Sequence, residues 1–77
     1  MEYKNVDFYL SACLLAAGAP LLRLEKQSSK TFIFVFKITG KTANQIIQQH
    51  WDKSLILPTK TLIDAINELK TRLHNGV

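Results

Sequence analysis

Two short stretches carry residue types at spacings that could do chemistry. Thr39-Gly40-Lys41-Thr42 stands between a strand-like run and a helical pattern, where a phosphate-binding loop would present its lysine and threonine. Such a loop also needs a glycine five residues before Gly40, so that backbone amides can wrap the anion, and that position is Val35. The bland reading accounts for all four residues: Gly40 stops the strand, and Thr42 caps the next helix with Gln45 closing a capping box. Lys41, beside a helix N-terminus, would attract an anion only weakly. Elsewhere, neither a serine nor Cys13 stands at a suggestive spacing from a base, and the carboxylates show no pairing. One cysteine with His50 and His74 cannot build a closed four-ligand metal site, and a disulfide is excluded. The expectation is a protein that is not an enzyme and has no cofactor or metal.

The second stretch is Lys30 to Lys37, with Phe32, Phe34 and Phe36 at alternate positions and a lysine at each end. It aligns with the RNA-recognition signature at Lys30, Phe32, Phe34 and Val35, and fails at Thr31, Ile33 and Lys37. That fold also needs a central, aromatic-bearing first strand, and Met1 to Val6 is short and polar. The face taken by the phenylalanines depends on the turn before them, because one residue more or less in a hairpin loop flips the partner strand. A three-residue loop, Gln27 to Ser29, opposes Leu24 with Phe32 and Leu22 with Phe34, giving a buried face of leucine and phenylalanine. A two-residue loop, Ser28-Ser29, opposes Arg23 with Phe34 and Glu25 with Phe32, a mixed face suited to base stacking. Neither serine adopts positive φ cheaply, so the longer loop and buried phenylalanines are favoured, leaving Ile33 and Val35 outward.

The elements that position these residues follow from the apolar pattern. Asn5 or Asp7 caps a helix that is apolar almost all round from Phe8 to Ala17, with Gly18 as its stop. Pro20 then forbids helix, and Leu21 to Lys26 alternates as a first strand, paired in a hairpin with Thr31 to Ile38. The next helix sets Ala43, Ile46, Ile47, His50 and Trp51 on one stripe. Residues 55–57 read as a short third strand. Pro58 and Thr59 open a last helix with Leu62, Ile63, Ile66, Leu69 and Leu73 inward and Asn75-Gly76 at its end. This is an α+β fold: helix, antiparallel hairpin, then two helices packed on one face of the sheet. At 77 residues it is a single domain spanning 1–77.

Phe8 to Leu22 also imitates the apolar core of a signal peptide. Its flank is not basic, and about 15 residues fall short of the ~20 a membrane span needs. The expectation is a soluble, cytoplasmic chain with Cys13 reduced and buried, and no membrane contact. Ten basic against six acidic residues give +4, which favours anionic partners, yet the basic residues never form a run. With 47% hydrophobic residues on so small a chain, a sheet apolar on both faces and a helix apolar all round point to a homodimer or a protein partner. The expected function is an interaction module using the open sheet face or the first helix, through Tyr9, Leu21, Ile33, Val35 and Trp51. The alternative is nucleic-acid binding through a basic cluster around the hairpin: Arg23, Lys26, Lys30, Lys37 and Lys41.

Four features also carry a likeness: Asp7-Phe8-Tyr9-Leu10 opening an alanine- and leucine-rich helix closed by Gly18, the Phe34-Val35-Phe36 strand end, Trp51 late in the next helix, and a final helix with Ala65 and Leu69-Lys70. In these the chain resembles a family of small bacterial and phage-associated domains of unknown function. The resemblance implies a compact α+β domain in a prokaryotic or phage cytoplasm, and supplies no catalytic or binding residues.

Overall fold

The computed structural model describes residues 1–75; Gly76, expected at the end of the last helix, lies outside them. The elements are β1 (Tyr3–Asn5), α1 (Phe8–Ala16), β2 (Leu21–Lys26), β3 (Phe32–Phe36), α2 (Gly40–Trp51) and α3 (Thr59–Asn75). The three strands form one antiparallel sheet in the order β1-β3-β2, so the phenylalanine strand is central. Its third strand is β1, not residues 55–57, which follow α2 with no sheet partner. Polar as it is, the N-terminal segment suits an edge: Tyr3 lies opposite Phe36 and Asn5 opposite Phe34, so one face joins the core while Lys4 points away.

The hairpin has a three-residue loop, as its serines suggested, but set one residue further along. Gln27 and Ser28 N–H both donate to the Thr31 carbonyl, at 2.9 and 3.2 Å, so Ser28 to Lys30 make the turn. The Ser28 hydroxyl accepts from the Lys30 and Thr31 amides at 3.3 and 3.1 Å, which ties the loop locally. Leu24 consequently opposes Phe34 rather than Phe32. Moving the loop by one whole residue leaves the parity unchanged, so the phenylalanines still face the core. Parity is lost only at Leu22. Leu21 pairs with Phe36 and Arg23 with Val35, so two residues of β2 are spent against one of β3, and Leu22 is the extra residue of a bulge. The bulge brings Leu21 onto the core face in the role expected of Leu22, which instead turns out to solvent.

Helix α1 starts at Asp7, whose carboxylate accepts from the Leu10 N–H at 2.9 Å. Asn5 supports that cap by accepting from the Asp7 N–H at 2.7 Å. The helix ends with Gly18 at φ +104°: the Gly18 N–H donates to the Leu15 carbonyl and the Ala19 N–H to the Leu14 carbonyl, the paired bonds of a Schellman motif. Ser11, Ala12, Cys13 and Leu14 are consecutive and all buried, because the sheet, α2 and α3 enclose α1. The domain thus covers its own most apolar helix without needing a second copy. The Ser11 hydroxyl is buried there with no hydrogen-bond partner among the described residues, a desolvation cost of about 1–3 kcal/mol.

Helix α2 begins earlier than its capping-box pattern suggests. Thr39, not Thr42, is the N-cap, its hydroxyl accepting from the Thr42 N–H at 3.1 Å and donating to the Thr42 hydroxyl at 2.9 Å. Gly40 is therefore the first helical residue rather than a strand stop. At the other end, Lys53 takes the left-handed position at φ +63° of a second Schellman pair, with Lys53 and Ser54 amides donating to the His50 and Gln49 carbonyls. A side chain there costs about 1–2 kcal/mol. Lys53→Gly is expected to gain a net ~0.5–1 kcal/mol after the extra freedom glycine gives the unfolded chain, seen as a rise of a few degrees in Tm.

In α3 the buried stripe runs Leu62, Ala65, Ile66, Leu69 and Leu73, while Ile63, expected inward, is more than half exposed. Ala65, 6% exposed, lies on the buried stripe in its place. The core joins Ala12, Leu14, Leu24, Phe34, Phe36, Ala43 and Leu69 in one cluster between the sheet and the helices. The ring centroids of Phe8 and Phe34 meet edge to face at 6.2 Å.

Candidate interaction surfaces

The outer face of the sheet carries Lys4, Arg23, Glu25, Ile33 and Val35, with no aromatic residue among them. A base-stacking platform needs exposed rings, and here the rings of β3 point the other way. Nor is the face an open apolar patch. Val35, at its centre, lies directly between Lys4 on β1 and Arg23 on β2 and is 0% exposed. Their charged ends are held across it by carboxylates. Arg23 reaches both oxygens of Glu2, Nη2 to Oε1 at 2.8 Å and Nη1 to Oε2 at 3.0 Å, while its Nε donates to Glu25 at 2.9 Å. Lys4 Nζ completes the chain with Glu25 Oε1 at 3.3 Å. The long aliphatic stems roof the valine while the heads stay wet.

The same network fixes the charge states. The hydrogen bond from Arg23 holds the Glu2 carboxyl below the ordinary glutamate value of 4.5; for Glu25, Arg23 and then Lys4 do the same. In return Glu2, then Glu25, push the Arg23 guanidinium upward. A carboxyl lowered by folding binds fewer protons folded than unfolded, so its contribution is complete above 4.5 and is lost as pH falls through the lower folded value. The urea midpoint is therefore expected to drop as pH is taken below 4.5, modestly because the groups are exposed, and Arg23→Met is expected to flatten that dependence. An unchanged acid slope in the variant would show that the network contributes nothing to folding.

The basic residues named for nucleic acid do not form one surface. Arg23 is engaged by two carboxylates. Lys26 precedes the hairpin turn and Lys30 lies in it, whereas Lys37 and Lys41 lie past the opposite end of β3, about 16 Å away at 3.3 Å per residue.

The apolar candidates divide differently from their sequence grouping. Val35 is covered, Ile33 is half-buried, and Leu21 packs against the core. Tyr9 and Trp51, by contrast, are 64% and 65% exposed, Tyr9 edge-on to Phe8 and Trp51 edge-on to His50. Sequence alone singled out as contacts none of the remaining exposed apolar side chains, Met1, Val6, Leu22, Ile56 and Ile63; the last two, at 90% and 55% exposure, follow Trp51 in the chain. With Trp51 they lie at the end of α2, on the connection, and in the first turns of α3. The one signal for Ile56 was its place in a Leu-Ile-Leu run too short to be a helix.

Folding also brings together a pair that is 37 residues apart in the chain. Cys13 Sγ lies 3.9 Å from His50 Nδ1. Burial pushes the thiol up, with the charge of Asp7 adding to it, so the cysteine is held as a neutral thiol rather than as a nucleophile. Among the described residues no group of three or more His, Cys, Asp or Glu side chains converges as a metal site would require, and no helix is long and apolar enough to cross a membrane.

No curated protein and no solved structure matches the chain. A family model matches residues 1–75, and the chain belongs to that family, described as a domain of unknown function, DUF5659.

Proposed function

We propose that this domain is a non-enzymatic interaction module of a bacterial or phage cytoplasm, self-associating as a homodimer through the α2–α3 connection and its flanks. The observation that carries the reading is Trp51, 65% exposed at a helix end, with Ile56 and Ile63 exposed after it on the same segment. Tryptophan exposed beside aliphatic side chains is the composition of a binding hot spot rather than of a plain solvated surface. A stable interface buries ~800 Å² per partner, about a sixth of the 5129 Å² surface here, so the contact would extend from these residues over neighbouring helical surface. The outer sheet face, roofed by ion pairs, supports the reading less well, and so does α1, of which Tyr9 is the one exposed aromatic.

Sedimentation equilibrium tests it. The wild-type chain is expected to show a dimer that Trp51→Ala weakens by about tenfold or more, and Ile56→Asp similarly, with helix content unchanged. A wild-type monomer at millimolar concentration would overturn self-association. Nucleic-acid binding stays the lesser alternative: it would need Lys26, Lys30, Lys37 and Lys41 to act from two ends of the sheet. Its signature would be a log–log salt slope of about 0.9 per phosphate contact on duplex.

A further inference from the structure

One cavity lies apart from both surfaces. It opens at the hairpin end of the core, has a volume of about 320 Å³, and is lined by Val6, Phe8, Phe32, Phe34 and Leu73, with Lys30 and Thr31 at the turn. Its origin is topological. Pairing between β1 and β3 stops at Asn5 and Phe34, and the chain leaves the sheet to start α1 at Phe8. Phe32 therefore continues the core face of β3 beyond the reach of β1. Leu73, near the end of α3, walls the other side. The result is a core with an unclosed end, floored by rings and marked by one cation. Among the described residues Lys30 makes no ion pair, and the turn that carries it is fixed by the Ser28 hydroxyl.

We infer that this cleft binds a small amphipathic carboxylate, a medium-chain aliphatic acid whose tail lies against Phe8, Phe32, Phe34 and Leu73 and whose carboxylate pairs with Lys30. Size and charge both point there. At ~30 Å³ per water-sized unit the cleft has room for about ten non-hydrogen atoms, the size of octanoate. A mostly apolar pocket with a few polar groups is the usual form of a small-molecule site, and the charged group here, Lys30, has no counterion among the described residues. A neutral alcohol of equal length would gain the same apolar contact and no ion pair with Lys30.

The test is an NMR titration of the full chain, following backbone amides, with octanoate and with 1-octanol as the uncharged control. Octanoate is expected to saturate with a Kd on the order of 1 mM, with shifts centred on Val6, Phe8, Thr31, Phe32, Phe34 and Leu73. Lys30→Gln, an exposed turn position, is expected to weaken octanoate about three- to tenfold and leave octanol unchanged. Val6→Trp, filling the rim from an exposed site, is expected to weaken both. Absence of saturable shifts at those residues by ~10 mM octanoate, or equal octanoate affinity in Lys30→Gln, would overturn the proposal. Neither outcome depends on whether the chain dimerises through Trp51.

Discussion

Phe36→Ala is expected to remove a large share of the domain's stability and to lower its urea midpoint steeply. Phe36 is fully buried on the central strand, opposite Tyr3 on one side and Leu21 on the other, so its ring is the point where all three strands meet the helices. Removing such a ring costs about 3–5 kcal/mol, the transfer of the lost atoms plus the cavity that the neighbours cannot fill. Against this stands a total stability of about 4–12 kcal/mol for a chain of 77 residues at 0.05–0.15 kcal/mol each. Circular dichroism through a urea titration checks it. A variant with a near-native midpoint would mean that the core collapses around the gap, and that Phe36 is not its keystone.

Val35→Ala is expected to cost about 2–3 kcal/mol although Val35 faces away from the core. Two methyl-sized groups at ~0.8 kcal/mol each, plus up to ~1 kcal/mol of strand preference, make up the figure. An outward position in a solvated sheet would change stability by less than ~0.5 kcal/mol. The difference arises because Lys4, Arg23, Glu2 and Glu25 close over the valine. Ile33, half-buried at the less covered end opposite Glu25, is expected to respond by about half as much. If Val35→Ala and Ile33→Ala were both near neutral in the same urea titration, the ion-paired roof would be a surface ornament that excludes no water.

Much of this architecture was legible because it rests on local, periodic signals. Asp7 and Gly18 bracket α1, the alternation Phe32-Phe34-Phe36 marks a strand, and loop parity settled which face it buries even though the turn lay one residue from where it was placed. The failures came from pairing between distant segments. Tyr3 to Asn5 carries no strand pattern of its own and becomes a strand because the free side of β3 needs backbone partners. Residues 55–57 have the better composition and pair with no strand. Ala65 is buried and Ile63 exposed because the face of α3 turned inward is set by its packing against α1, which hydropathy alone does not show. Val35 looked like surface because sequence shows alternation but not the Glu2–Arg23 pair, which closes over 21 residues. The cleft was out of reach altogether, since it is defined by where β1 stops.

The bulge at Leu22 has a bearing on how the protein behaves in a crowded cell. β2 is an outer strand whose far side offers unpaired amides and carbonyls, and a straight run of that kind is a template on which other chains can add and eventually build fibrils. One extra residue near its start twists the strand and breaks the regular spacing of those groups, while Arg23 and Lys26 add charge along it. The opposite margin is guarded by brevity, since β1 has only three residues. Leu22 thus spends an apolar side chain on solvent, and in exchange the sheet is kept from growing beyond the three strands that the molecule itself supplies.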